Sequence, residues 1–202
     1  GGNSDTLCDQ FLKGAAEAGN RVEKIRLADL KIDYCSACYA CKTTGRCVKR
    51  DEMEQIIEKM RDADVIVLAT PVDTIPLLTV KILNRIAPHQ VVMDTGSIKG
   101  ELCEVVAMHA RRGRFVATHP MWGTEFSGPE AAVHGAFAGR TVVICDREAS
   151  DPDALESVER IYTEIGMPVK YMSAEEQDTH TAYVSHISHI TSFALALTVL
   201  EK

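Results

Sequence analysis

The 202-residue sequence lacks several features that would place it in a particular class of protein. No apolar run approaches the length of a membrane span, and no segment resembles a signal peptide, so we expect a cytoplasmic protein without a membrane partner. No basic run is present either. The chain carries 22 Lys and Arg against 29 Asp and Glu, and its net charge is −7. This balance argues against nucleic acid as the main partner.

A further absence is the G-x-G-x-x-G loop that normally follows the first strand of a dinucleotide-binding domain. What is present is ordinary for a globular domain, with 46% hydrophobic and 25% charged residues. The length suits one α/β domain, or one domain and part of another.

The seven cysteines are unevenly placed, because four of them lie between Cys35 and Cys47. Three follow C-x2-C-x2-C spacing, which is close to the spacing of bacterial ferredoxins. A four-thiolate zinc site is an alternative, although such sites more often use two separated pairs of cysteines. Free or redox-active thiols are the third interpretation.

The apolar pattern predicts alternating helices and strands, and therefore an α/β fold in three layers with a mostly parallel sheet. Short apolar runs predict strands at Val22–Leu27, 64–70, 90–93, 114–118, 140–145 and 168–171. Helices are predicted at 3–18, 51–61, 74–87, 97–110, 151–165 and from 173 to 200. Ser97 is expected to cap the fourth of these, and Ser173 begins a capping box for the last.

Three polar stretches stand out in the second half of the chain. HPMWGTEFSG, residues 119–128, is predicted to be a loop that follows a strand. DTGSIKG, residues 94–100, follows the preceding strand in the same way. SHISH, residues 185–189, lies on the predicted last helix. Since ligands of α/β sheets bind at the carboxyl ends of strands, these stretches are candidates for a functional site.

In order and spacing, the three stretches resemble those of prephenate dehydrogenases, over residues 73–202. The resemblance implies an oxidoreductase that decarboxylates prephenate oxidatively to 4-hydroxyphenylpyruvate with NAD or NADP, in tyrosine biosynthesis. It also implies that His119 accepts the proton of the ring hydroxyl and that Ser97 binds near that hydroxyl. The other implied catalytic or substrate-binding residues are Thr124, Glu125, His186 and His189.

The front of the chain resembles a different family. GGNSDT, the CSACYAC…GRC run and the DEM segment at 51–53 resemble the NADPH-dependent FMN reductases and iron–sulfur flavoproteins, which have a flavodoxin-like fold. This resemblance implies that Asn3, Ser4 and Thr6 bind FMN phosphate. It also implies a four-iron four-sulfur cluster held by Cys35, Cys38, Cys41 and Cys47. Thr70, Pro71 and Asp94, which follow strands, complete the expected cofactor-binding residues.

Together the resemblances predict a chimera of partial domains. We expect a flavodoxin-like half without its first strand at 1–72, the second half of a Rossmann-like dehydrogenase domain at 73–172, and the start of a helical domain at 173–202. The expected function is a prephenate-dehydrogenase-like oxidation of a small-molecule substrate, in a homodimer. An FMN-binding or iron–sulfur NAD(P)H reductase or electron-transfer module is the alternative.

Overall fold

A five-stranded sheet forms the centre of the protein in the computed structural model, which describes residues 3–17, 19–26, 29–44, 47–122 and 136–200. The strands are β1 (Val65–Leu68), β2 (Val91–Asp94), β3 (Phe115–Pro120), β4 (Val142–Cys145) and β5 (Val169–Met172). They lie in the order β1-β2-β3-β4-β5. The β3–β4 pair is antiparallel and the other three pairs are parallel, so the predicted mostly parallel α/β sheet is confirmed.

Eight α-helices surround or precede this sheet in the described part of the chain. They are α1 (Asn3–Glu17), α2 (Ala40–Thr44), α3 (Met53–Asp62), α4 (Ile75–Leu83), α5 (Gly100–Val106), α6 (Pro152–Glu164), α7 (Ala174–Thr181) and α8 (Ile187–Leu200). A π-helical segment, Ala182–His186, joins α7 to α8. None of these helices is both long and apolar enough to cross a membrane.

The three inner strands, β2, β3 and β4, bury both of their faces, because alternate side chains point to opposite sides of a sheet. Val92, Phe115 and Ala117 belong to one apolar cluster, together with side chains of α4 and α5. Val91, Met93 and Val116 belong to a second cluster, which includes side chains of α6. The sheet is therefore the middle layer of three, as the continuous apolar runs predict.

A predicted strand and a predicted loop differ from the structure. The strand at Val22–Leu27 is wrong for the described part, since residues 19–26 contain no strand. A strand needs a neighbour to pair its backbone groups, and the recorded partner of β1 is β2. His119 is also not the start of a loop. It lies within β3, where it pairs with Val143 of β4.

The helix predicted at 97–110 is shorter at both ends. Ser97 does not cap it, because α5 begins at Gly100 with Lys99 in the capping position. The carboxylate of Asp178, on α7, accepts hydrogen bonds from the backbone N–H groups of Lys99 and Gly100 at 2.6 and 2.8 Å. A helix distant in sequence, α7, thus supplies a negative charge at the start of α5, where negative charge is favourable. By contrast, the capping box at Ser173 is confirmed.

Candidate functional site

A buried ion pair lies where β2 ends. Asp94 is the last residue of β2, and its carboxylate contacts the ammonium group of Lys99. Both side chains are fully buried, at 0% exposure. Because an unpaired charge in such a place is very unfavourable, the two groups hold the intervening loop in one conformation.

Asp94 accepts further hydrogen bonds from the backbone. Its Oδ2 accepts from Gly96 N–H at 2.8 Å, and its Oδ1 accepts from Thr118 N–H at 3.1 Å. Burial raises the pKa of Asp94, while Lys99 and the two N–H donors act against this rise. The carboxylate therefore links the end of β2 to both the following loop and β3.

Gly96 fits this loop because it has no side chain. A Cβ atom at this position would lie 2.9 Å from Ile75 Cδ1 and 3.0 Å from Asp94 Oδ2. Either distance is shorter than carbon normally tolerates, so a larger residue would force the Ile75 side chain or the Asp94 carboxylate to shift. Ser97 is half-buried in the same loop, between the two residues of the ion pair.

A chain of hydroxyl groups continues from β3 into the core. The Thr118 hydroxyl donates to the backbone oxygen of Asp94. Its oxygen lies 2.7 Å from the Tyr162 hydroxyl, which must donate to it because the Thr118 proton is already committed. Burial raises the pKa of Tyr162, so this phenol stays protonated and keeps donating.

His119 follows Thr118 on β3 and is half-buried. Its Nδ1 lies 2.6 Å from Nε2 of Gln177, a fully buried residue of α7. Gln177 Nε2 is also 2.7 Å from the Thr181 hydroxyl, one turn further along α7. The imidazole ring is thus held at one nitrogen by a helix that packs against the sheet, a geometry that suits transfer of a proton at the other nitrogen.

The remaining predicted residues are only partly brought together. Thr70 and Pro71 follow β1, and the Thr74 hydroxyl lies within hydrogen-bond distance of the Thr70 hydroxyl and the Pro71 backbone oxygen. The Thr95 N–H donates to the backbone oxygen of Leu68, the last residue of β1, at 3.0 Å. Thr124 and Glu125 lie outside the described residues. The backbones of His186, His189, Asn3, Ser4 and Thr6 are helical, but their side chains are outside the described part.

The cysteine run forms an exposed loop and the short helix α2. All four of its thiols are free and exposed. Cys35 Sγ accepts from Ala37 N–H at 3.4 Å, and Ala37 and Tyr39 both adopt positive φ angles. Across the described residues, no three His, Cys, Asp or Glu side chains lie close enough to hold a metal ion. This arrangement does not assemble a cluster site, so the ligand role of these cysteines stays a prediction.

An α/β sheet with polar loops at the carboxyl ends of β1 and β2 defines the class as a Rossmann-like nucleotide-binding fold. Residues 35–171 match the family described as "Prephenate dehydrogenase, nucleotide-binding domain". Because this match covers more than half of the chain, the protein belongs to that family.

The similar proteins include members of both families that the sequence resembles. The chain is 26% identical to a cyclohexadienyl dehydrogenase of Zymomonas mobilis over 142 residues, covering 70% of this chain and 48% of the relative. It is 37% identical to an iron–sulfur flavoprotein of Archaeoglobus fulgidus over 71 residues, covering 35% of this chain and 32% of that protein. The chain therefore spans about half of one relative and a third of the other.

A solved structure extends the similarity to nearly the whole chain. Prephenate dehydrogenase from Aquifex aeolicus, in complex with hydroxyphenyl propionate and NAD+, superposes with a TM-score of 0.71 at 26% identity. The match covers 95% of this chain and 65% of that one. The fold of the front residues is thus compatible with a dehydrogenase, despite their resemblance to flavoproteins.

Sequence reasoning missed Gln177, Lys99, Asp178 and Tyr162. A signal for Gln177 exists, because Ala174, Gln177 and Thr181 are spaced to share one helix face, and all three are buried. A polar side chain on the inner face of a helix whose start is fixed by a capping box indicates a buried polar contact. Lys99 carries no such signal, since a lysine in a loop is normally exposed.

Proposed function

We propose that this chain carries the nucleotide-binding and proton-accepting part of an enzyme that oxidises prephenate to 4-hydroxyphenylpyruvate and carbon dioxide, with NAD+ as hydride acceptor. The observation that carries the proposal is the position of His119 near the end of β3, where its Nδ1 contacts the side-chain amide of Gln177. The neighbouring Asp94–Lys99 pair fixes the adjacent loop, which contains Ser97.

The chemistry needs one proton acceptor and a fixed geometry. The carbon that bears the ring hydroxyl would give a hydride to the nicotinamide, and the ring carboxylate would leave as carbon dioxide. The hydroxyl proton goes to a base, which returns it to the phenolate oxygen once the ring is aromatic, so the overall reaction releases no proton. His119 is the proposed base, because an imidazole accepts a proton near neutral pH. Ser97 is proposed to bind near the same hydroxyl, and Thr124, Glu125, His186 and His189 to bind the substrate.

The nicotinamide nucleotide supplies hydride acceptance when it is bound. Thr70 and Pro71 suit a role in holding it, since they lie at the carboxyl end of β1, where such folds bind nucleotides. Asp94 suits this role less well. Its two oxygens already accept from Lys99, Gly96 and Thr118, and the side chain is fully buried.

The test is NADH formation from prephenate and NAD+ by the full chain and by His119→Asn. We expect the substitution to reduce kcat at least about a hundredfold, which is the usual contribution of a positioned base. His109→Asn is a matched control, because His109 is another half-buried histidine, and its Nε2 contacts Asn84 at 3.3 Å. Equal rates in His119→Asn and the wild type would remove the proposed base.

A second candidate function follows from the flavoprotein similarity, which covers 35% of the chain at 37% identity. In this proposal the front residues take part in electron transfer, with FMN near Asn3, Ser4 and Thr6 and a four-iron four-sulfur cluster on Cys35, Cys38, Cys41 and Cys47. Iron and acid-labile sulfide analysis of protein purified without oxygen tests it. Absence of both from such protein would remove the cluster.

Three further expectations remain predictions within this proposal. These are the homodimer, the cytoplasmic location and the division of the chain at residues 72 and 172. Sedimentation analysis of the full chain would test the first.

A further inference from the structure

Gln177 makes an unbalanced set of contacts for a buried amide. Its Nε2 lies within hydrogen-bond distance of His119 Nδ1 and the Thr181 hydroxyl, and 3.8 Å from Met121 Sδ. Its Oε1 is buried and has no hydrogen-bond partner among the described residues. All of the recorded polar contacts therefore gather on one end of the amide.

The amide can face the imidazole in two ways, because rotation by half a turn exchanges its oxygen and nitrogen within the same volume. If the NH2 group faces Nδ1, the ring must accept there, and the proton of a neutral imidazole sits on Nε2. If the oxygen faces Nδ1, the ring donates there, and the lone pair lies on Nε2. Thr181 fits both cases, since a hydroxyl can donate or accept.

Two considerations favour the second orientation. The 2.6 Å separation is shorter than an ordinary N–H···O hydrogen bond, so the smaller oxygen atom suits the position facing Nδ1 better than nitrogen does. In addition, only a ring with its lone pair on Nε2 can take a proton at that nitrogen. A neutral amide oxygen would fix this tautomer without adding the negative charge of a carboxylate.

We propose that Gln177 is a positioning residue that sets the tautomer of His119. Its Oε1 accepts the Nδ1 proton and keeps the lone pair on Nε2, and the Thr181 hydroxyl holds the amide in this orientation. The inference rests on the proposed function, because Nε2 is then the atom that receives the proton of the substrate hydroxyl.

The test is 15N–1H multiple-bond NMR of the full chain with labelled histidine, at about pH 8, where an ordinary imidazole is neutral. The His119 signals are assigned with His119→Asn. We expect the wild type to carry the proton on Nδ1. Gln177→Glu should keep this tautomer because it retains an acceptor, whereas Gln177→Met should lose it. The exposed residue Gln55 provides a control, since Gln55→Met should change nothing.

A wild-type ring protonated on Nε2, or an unchanged tautomer in Gln177→Met, would overturn the proposal. The wild-type spectrum decides the tautomer even if the Met variant fails to fold. In the NADH assay, Gln177→Met should reduce kcat about tenfold or more with little change in KM for prephenate, and Gln177→Glu should restore most of it. If no variant oxidises prephenate, the proposed function fails, while the spectra still decide the role of Gln177.

Discussion

The described residues before and after β1 differ in how much they bury. Ile56 is the one buried apolar side chain in the described part that precedes Leu68, whereas the later residues form two apolar clusters on the two faces of the sheet. The polar groups differ in the same way. Lys13 and Glu17 of α1 pair at 3.8 Å with 67% and 68% of their side chains exposed, but Lys99 and Asp94 are fully buried.

This difference in burial indicates where the proposed chemistry can take place. A charge or hydrogen bond has a fixed geometry only when apolar packing excludes the water that would compete with it. The sheet region, which is the described part of the chain from β1 onward, provides such packing around Asp94, Thr118 and Gln177. The front region, which is the described part of the chain before β1, leaves the thiols of Cys35, Cys38, Cys41 and Cys47 exposed.

The largest expected effect comes from breaking the buried ion pair. Lys99→Met leaves the Asp94 carboxylate buried without its cation, so we expect the free energy of unfolding to fall by about 4 kcal/mol. Urea unfolding monitored by circular dichroism measures it. The control is Lys13→Met, which removes an exposed pair and should cost less than about 0.5 kcal/mol. Similar losses in the two variants would contradict the contrast between the regions.

A smaller effect is expected from truncating the core. Leu83 is fully buried against the sheet, so Leu83→Ala should reduce the free energy of unfolding by about 3 kcal/mol. Ile57 on α3 is 48% exposed, and Ile57→Ala should cost less than about 1 kcal/mol. The same urea titration compares them, and a larger loss for Ile57→Ala would show that the front region packs more tightly than described.

The hydroxyl chain should contribute less again. Tyr162→Phe removes the donor to Thr118, and we expect a loss of about 1 kcal/mol of unfolding free energy. Tyr34→Phe is the front-region control, because Tyr34 is 95% exposed and should show no measurable change. A neutral result for Tyr162→Phe would mean that the buried hydroxyl contributes nothing net.

The smallest change is one of thiol reactivity and needs no substitution. A maleimide should label Cys35, Cys38, Cys41 and Cys47 rapidly in the native chain, while Cys103 and Cys145 should react only after unfolding. Mass spectrometry of the labelled peptides measures the order. Rapid labelling of Cys145 would contradict the burial of β4.

The raised pKa values of the buried Cys103 and Cys145 thiols predict how the stability of the protein depends on pH. Burial raises the pKa of Cys103 and Cys145 to about 12, above the ordinary value of 9.0. Below the ordinary value both states keep the proton and stability is unaffected. Between about pH 9 and 12 the unfolded chain loses the proton first, so these groups lower the free energy of unfolding as pH rises. A free energy of unfolding that increases across that pH range would contradict the burial of these two thiols.

The sequence predicted the sheet well because buried parallel strands are continuous apolar runs. The five strands of the described structure all overlap predicted runs, and the capping box at Ser173 located the start of α7. The prediction at Val22–Leu27 failed because β-propensity does not create a partner strand. It is a local property, and pairing depends on the rest of the fold.

The site was predicted in part for a similar reason. His119 and the loop around Ser97 carry sequence motifs, and both lie beside polar groups of the core. Gln177 is 58 residues from His119, so only folding brings the two together. Asp178 is likewise 79 residues from Lys99, whose backbone it bonds. Contacts of this range have no local signature in one sequence.

The most direct test of the account is the rate of NADH formation from prephenate and NAD+ in a chain whose Cys35, Cys38, Cys41 and Cys47 are all replaced by serine. We expect this chain to match the wild type in kcat, because the proposed chemistry takes place around His119 in the sheet region. Prephenate oxidation that disappears with the four thiols, or that neither chain performs, would contradict the account.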